Sequence, residues 1–209
     1  GEAEAAARDA RLAMLRLQVD PHFLFNALNA LSSMVACGET KAAGAMIRDL
    51  AAFFRTGLVE DPAADVNLAD EVEFQRLYLA IEQARYGERL RVAVDVPAKL
   101  HAVKLPSLLL QPLIENAVKH GLGGTTAPVL IKVRAWQDGA MLHLNVTDCS
   151  HGRLAMPDAR RPSTGIGLAN VRARLAARFG PTATLTARPI QDGWSSTITL
   201  PLEPEAGRG

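Results

Sequence analysis

A histidine and two asparagines at helical spacing are the first residues in this 209-residue chain that could do chemistry. His22, Asn26 and Asn29 stand at i, i+4 and i+7 of an otherwise apolar segment, which puts them on one face of a helix. A neutral imidazole nitrogen is a good nucleophile near pH 7 when the other ring nitrogen donates its proton to a neighbour. The same spacing is typical of a core histidine hydrogen-bonded to Asn26. Both interpretations stay open on this pattern alone.

A second polar group lies late on an apolar, helix-like segment over residues 110–121. Its members are Glu115, Asn116, Lys119 and His120. An asparagine oxygen suits the hard cation Mg²⁺, and a lysine ammonium suits phosphate. Lys119 and His120 are also ordinary residues for the end of a helix, so a purely structural role is the alternative.

Two shorter signals follow in the second half of the chain. Asp148 ends a strand-like run, and its carboxylate could accept a hydrogen bond from an exocyclic amine such as that of adenine. Gly165 and Gly167 open a helix, where glycines let backbone N–H groups approach phosphate and the helix N-terminus favours anions. The glycine pair differs from a Rossmann fingerprint because it follows a loop and lacks the third glycine. Each of these two signals is weak by itself.

The elements that must position these groups begin with a helical part. Apolar periodicity predicts a long helix over residues 2–35, kinked near Pro21, and a second helix over residues 41–58. Two antiparallel helices with apolar stripes and no sheet need a partner surface, which a dimeric four-helix bundle would supply. Residues 60–65 are predicted to form a linker.

The remainder of the chain predicts an α+β fold with helices packed on one face of a mixed sheet. Helices are predicted over residues 68–85, 106–120 and 168–179. Strands are predicted over residues 91–96, 129–136, 141–147, 182–188 and 195–200. The segment between residues 150 and 167 is rich in glycine and proline and is expected to be a loop.

The composition excludes several classes of function. Lys plus Arg number 23 against 22 Asp plus Glu, and a net charge of +1 argues against general nucleic-acid binding and against electrostatic attachment to membranes. No apolar run approaches the roughly 20 residues that a membrane-spanning helix needs. Cys37 and Cys149 form no CxxC pair, so neither a disulfide framework nor a zinc site is expected.

In their order and spacing, these segments resemble the LytS/YehU-type sensor histidine kinases, in which a histidine-kinase helix pair precedes a GHKL-type ATPase domain. The string PHFLFN at residues 21–26 is similar to the phosphoacceptor box of that family. Residues 110–121 are similar to its N box, and residues 164–170 to its G2 box. Residues 71–86 also look like the family. The resemblance covers residues 12–202, nearly the whole chain.

The resemblance implies a division of labour along the chain. Residues 1–62 would be the dimerisation and histidine-phosphotransfer helices, and residues 63–209 a GHKL (Bergerat-type) α/β sandwich that binds ATP. His22 would be the phosphoacceptor, with Asp20, Gln18 or Asn26 orienting its ring and Glu115 holding a water or polarising the nucleophile. Mg²⁺ would bridge Asn116 and the phosphates. The other implied ATP-binding residues are Lys119, His120, Asp148, Gly152, Gly165, Gly167 and Leu168.

The resemblance also implies partners and a location. The protein would be a homodimer that passes its phosphoryl group to an aspartate in the receiver domain of a response regulator. Such regulators usually carry a LytTR-type DNA-binding domain, so the kinase itself need not touch DNA. The chain would be a cytoplasmic portion, anchored in the inner membrane through a region that it does not include.

The third box departs from the family pattern. Where the family normally has Asp-Asn-Gly-x-Gly, residues 148–152 read DCSHG. Ser150 replaces the first glycine, and its Cβ is expected to crowd the turn that lies against the base. This departure keeps open a pseudokinase or phosphatase-biased member that binds a regulator without autophosphorylating. Two more distant alternatives also stay open. A GHKL serine kinase of the anti-sigma type would lack the PHFLFN helix, so the presence of this string counts against it. A purely structural helical bundle would bind no nucleotide.

Overall fold

The chain forms two compact units in a computed structural model, which describes residues 21–59, 64–123, 125–150 and 166–202. The first unit contains the described residues up to Glu88 together with Lys104–Gln111. The second unit contains Arg89–Val103 and the described residues from Pro112 onward. The start of the predicted first helix, most of the predicted linker and the loop before Ile166 lie outside the described residues.

The described residues form five α-helices and seven strands. They are α1 (Pro21–Ala36), α2 (Thr40–Val59), β1 (Asp65–Asn67), α3 (Leu68–Tyr86), β2 (Leu90–Asp95), β3 (Lys104–Pro106), α4 (Gln111–Gly123), β4 (Val129–Asp138), β5 (Met141–Cys149), α5 (Ile166–Phe179), β6 (Thr184–Ile190) and β7 (Gly193–Pro201). The predicted strands are confirmed, whereas β1 and β3 were missed because three-residue strands carry too short a pattern. Among these described helices, none has the length and apolar character needed to cross a bilayer.

An aromatic cluster joins α1, α2 and α3 in the first unit. Phe53 on α2 is fully buried and stacks on Phe74 of α3, with ring centroids 4.7 Å apart. The ring centroid of Phe23 on α1 lies 5.4 Å from that of Phe53. Phe23 also stacks on Tyr78 of α3, with ring centroids 4.9 Å apart. These contacts determine which side of α1 faces the interior. The residue next to Phe23, His22, is exposed.

A buried carboxylate organises the segment that leads into α4. Glu71 on α3 is 1% exposed, and its two oxygens accept hydrogen bonds from the backbone N–H groups of Leu108 and Leu110, both at 2.8 Å. Leu108 has a φ of 56°, in the left-handed region that leucine rarely adopts. The prediction of a helix from residue 106 was therefore wrong at its start. Residues 104–106 pair with β1 instead, and Leu108 breaks the helical path before Gln111.

The second unit contains a mixed five-stranded sheet in the order β2-β4-β5-β7-β6. Strand β2 runs parallel to β4, and the remaining neighbours are antiparallel, as predicted for a mixed sheet. Along β5 the buried residues Leu142, Leu144, Val146 and Asp148 alternate with residues of the opposite face. Helix α5 packs on β6 and β7 through buried residues such as Val171 and Leu175.

The opposite face of the sheet is polar and is held together by cross-strand contacts. The Asn145 side-chain amide donates to the hydroxyls of Ser195 and Thr197, both at 2.9 Å. The rings of Trp136 and His143 stack with centroids 5.0 Å apart. The two faces of β5 therefore differ in chemistry, and Asp148 lies on the same face as the apolar core.

Replacing Glu71 by Gln should lower the free energy of unfolding by about 1–3 kcal/mol, because one of the two buried N–H groups would face a donor instead of an acceptor. Urea unfolding followed by circular dichroism measures this loss. Glu73→Gln is the matched control on the same helix, since Glu73 is exposed and its contact with Arg76 spans 3.9 Å. Equal, small losses in both variants would contradict the role of Glu71.

Candidate functional site

Helix α4 carries four of the predicted site residues on two adjacent rows. Glu115 and Lys119 are one turn apart, and so are Asn116 and His120. Lys119 is exposed, and the other three side chains are half-buried. The helix therefore presents an amide and a cationic group on a surface that a ligand can reach.

Gly121 lets the end of α4 lie directly against β5. A Cβ at this position would be 3.2 Å from the Cβ of Asp148 and 2.9 Å from Cγ1 of Val129. Both distances are shorter than ordinary van der Waals contact, so a side chain at Gly121 would push the helix off the sheet. Asp148 is 1% exposed at the end of β5. The structure thus brings the polar end of α4 and Asp148 together.

A second glycine, Gly193, lets β7 lie directly against the backbone of Asp148. A Cβ at Gly193 would overlap the backbone carbonyl oxygen of Asp148. Next to it, the Ser150 N–H donates to the carbonyl of Asp192 at 2.9 Å. The turn between β6 and β7 therefore holds the backbone on both sides of Cys149. This role of Gly193 is not evident from the sequence, although an Asp-Gly pair at 192–193 is a usual turn signal.

The first turn of α5 lies beside the first turn of α4. A Cβ at Gly167 would be 3.4 Å from the Cβ of Pro112. Asn116 follows Pro112 by one helical turn, so it belongs to the row of α4 that faces this helix start. Leu168 is buried and anchors α5. The backbone N–H groups at the start of α5 and the Asn116 amide are thus placed in the same part of the unit.

His22 and Asn26 lie in the first unit, one turn apart on α1. His22 is exposed and Asn26 is half-buried. This placement excludes the interpretation of His22 as a core histidine and leaves an accessible imidazole. Gly152 and Gly165 lie outside the described residues.

Cys149, between Asp148 and Ser150, is not a nucleophile candidate. Burial raises the pKa of its thiol, and the positive charge of Lys132 offsets this only in part. The thiol donates to the carbonyl oxygen of Leu130 at 3.7 Å. A protonated, hydrogen-bonded thiol on the opposite face from Asp148 plays a packing role.

Gly193→Ala should destabilise the protein by about 2–3 kcal/mol, because the added Cβ meets a backbone carbonyl that cannot move without breaking the β5–β7 ladder. Thermal unfolding measures this effect. Gly123→Ala is the matched control, since nothing lies within 4 Å of a Cβ at Gly123. Wild-type stability in Gly193→Ala would contradict the close approach of the two strands at Asp148.

Two family models match consecutive parts of the chain. Residues 10–90 match the histidine kinase family, and residues 102–204 match the family of histidine kinase-, DNA gyrase B- and HSP90-like ATPases. The sensor histidine kinase BtsS of Escherichia coli is 34% identical over 204 residues, which are 97% of this chain and 35% of BtsS. The sensor histidine kinase/phosphatase LytS of Staphylococcus aureus is 31% identical over 216 residues, which are 97% of this chain and 37% of LytS. The chain thus spans about a third of the length of these relatives.

Solved histidine kinase structures share the fold. The histidine kinase domain of the blue-light activated kinase of Erythrobacter litoralis has a TM-score of 0.50 at 18% identity, covering 93% of this chain and 94% of that one. The nucleotide-free catalytic domain of histidine kinase ThkA has a TM-score of 0.50 at 14% identity, covering 68% of this chain and 98% of that one. The predicted helical hairpin followed by a GHKL-type α/β domain is confirmed by this likeness. Together, the matched families and relatives mean that the chain belongs to the LytS-type sensor histidine kinases.

Proposed function

We propose that this chain is the transmitter core of a two-component sensor histidine kinase. It would transfer the γ-phosphoryl group of ATP to His22 and then to an aspartate of a response regulator. The proposal rests on the observation that the chain carries two features, one in each unit. An exposed imidazole stands on α1 of the first unit. In the second unit the last turn of α4 lies against Asp148, and its first turn lies beside the start of α5.

The ATP-binding roles follow from the chemistry of each side chain. Asp148 accepts a hydrogen bond from the adenine amino group, since a carboxylate is an acceptor only. Lys119 and His120 add positive charge near the phosphates, and the backbone N–H groups at the start of α5 bind phosphate oxygens. The remaining proposed ATP contacts are Gly152, Gly165, Gly167 and Leu168.

One amide oxygen of α4 fits Mg²⁺ bound to a nucleotide, because this ion is usually held by one or two side chains together with phosphates. Asn116 is the proposed ligand, half-buried and on the row of α4 that faces the start of α5. When bound, the ion neutralises phosphate charge as the phosphoryl group moves. Glu115, next to Asn116 in the chain, is proposed to hold a water or to polarise the nucleophile.

The reaction forms one N–P bond and breaks one P–O bond. A neutral ring nitrogen of His22 attacks the γ-phosphorus in line, and the bridging oxygen leaves with its electron pair on ADP. Asn26, one turn away on α1, orients the imidazole ring. The phosphohistidine then donates its phosphoryl group to an aspartate of the receiver domain, and a LytTR-type domain of that regulator would contact DNA.

We propose a homodimer, in which α1 and α2 of two chains form a four-helix bundle. Among the described side chains of these helices, four large apolar ones are exposed: Phe25, Leu28, Val35 and Ile47. Phe25 and Val35 are 65% and 66% exposed, respectively, which is costly unless a partner covers them. In the full-length protein, a segment outside this chain would anchor the dimer at the inner membrane and leave this portion in the cytoplasm.

The protein incubated with Mg²⁺ and γ-labelled ATP should acquire an acid-labile, base-stable label, because phosphohistidine has that stability. His22→Gln should abolish the label, since glutamine lacks the nucleophilic nitrogen. His101→Gln is the matched control and should keep the label. His101 is also an exposed histidine, and its Nε2 lies 3.3 Å from the carbonyl oxygen of Val96, but it is not one of the proposed site residues. Wild-type protein that binds ATP and remains unlabelled would contradict the kinase and favour a scaffold that binds a regulator. Label retained in His22→Gln would contradict the assignment of His22 as the phosphoacceptor.

Phe25→Ser should weaken dimerisation at least about tenfold, because it removes a large apolar side chain from the proposed bundle interface. Sedimentation velocity over a concentration series measures the change. Trp136→Ser is the control, since Trp136 is an exposed aromatic residue on the sheet of the second unit. A wild-type chain that stays monomeric, or a Phe25→Ser dimer of unchanged affinity, would contradict this interface.

A further inference from the structure

Ser150 carries a buried hydroxyl directly after β5. The residue is 3% exposed, and its Oγ makes no hydrogen bond to any part of the chain that the structure describes. Buried hydroxyls are nearly always hydrogen-bonded, because removing one from water without a partner costs free energy. An unpaired hydroxyl two residues after Asp148 therefore indicates a group that is completed by a ligand.

The backbone places Ser150 on the same face as Asp148. The Ser150 N–H donates to the carbonyl of Asp192, so the β5–β7 pairing continues one residue beyond Cys149. Because side chains alternate along a strand, those of Asp148 and Ser150 lie on one side and that of Cys149 on the other. The two non-glycine residues with left-handed backbone in the described chain are Leu108 and Asp192. Ser150 therefore occupies the family's glycine position without the backbone geometry that requires glycine.

We propose that Ser150 is a second base-reading residue, which donates its hydroxyl proton to N1 of adenine while Asp148 accepts from the adenine amino group. This inference rests on the proposed ATP binding. Adenine presents a donor at N6 beside an acceptor at N1, and a carboxylate with a hydroxyl matches that pair. Guanine presents the reverse order at the same edge, so the two side chains together would favour adenine.

The inference is tested by comparing ATP with 1-deaza-ATP, in which N1 is replaced by a C–H group. Isothermal titration calorimetry with Mg²⁺ gives the ratio of the two dissociation constants. Wild-type protein should bind ATP roughly two- to tenfold more tightly than the analogue, the range expected for one neutral hydrogen bond. In Ser150→Ala and Ser150→Gly the ratio should fall to about one, because neither side chain can donate to N1.

Ser195→Ala is the matched control. Ser195 is another buried serine of the same sheet, but its hydroxyl accepts from Asn145 on the opposite face. Its ratio should equal that of the wild type, whatever the change in stability. If wild type and Ser150→Ala both bind ATP and show the same ratio of dissociation constants for ATP and 1-deaza-ATP, the role of Ser150 is overturned. The proposed function would then still stand. Absence of ATP binding by the wild type would overturn both.

Discussion

The close approach of three backbone segments at Asp148 is the constraint on which the second unit depends. Gly121 brings α4 against the Asp148 side chain, and Gly193 brings β7 against the Asp148 backbone. Because neither glycine has a Cβ, α4 can pack closely on the Asp148 side chain while β7 packs closely on its backbone. The proposed role of Asp148 in reading adenine needs such positioning, since a misplacement of about 1 Å costs much of the interaction. The site is therefore organised by the absence of two side chains as much as by the polar groups themselves.

In the first unit the packing has the opposite effect, because it leaves the proposed phosphoacceptor His22 exposed at the surface. The aromatic cluster of Phe23, Phe53, Phe74 and Tyr78 binds α1 through one side. His22 and Phe25 are then left on the exposed part of α1. In the proposed function, His22 has to reach two different partners in turn, a nucleotide and a receiver domain. Exposure on a helix that is firmly packed on its other side satisfies this need while it limits the motion of the imidazole.

Buried acids in the first unit are stabilised in different ways. Glu71 accepts two backbone hydrogen bonds, which compensate its removal from water. Glu82 lies near the end of α3 with the Arg85 guanidinium 3.3 Å away. Burial raises the pKa of Glu82, and Arg85 opposes this shift only in part. Glu82 therefore favours the folded state more when it is protonated than when it is charged, and its contribution falls as the pH rises above the usual glutamate range.

The amino-acid sequence by itself determined the family, the helices and strands with strong periodicity, and the residue types of the site, because these depend on short, contiguous strings. It could not locate the start of α4, since that is decided by β3 pairing and by Glu71, 37 residues away from Leu108. Nor could it separate the two interpretations of His22, which differ only in the side of α1 that the aromatic cluster covers. The close approaches at Gly121 and Gly193 and the burial of the Ser150 hydroxyl were likewise decided by tertiary structure. Each depends on an atom from a segment distant in the chain, and no local pattern encodes that distance.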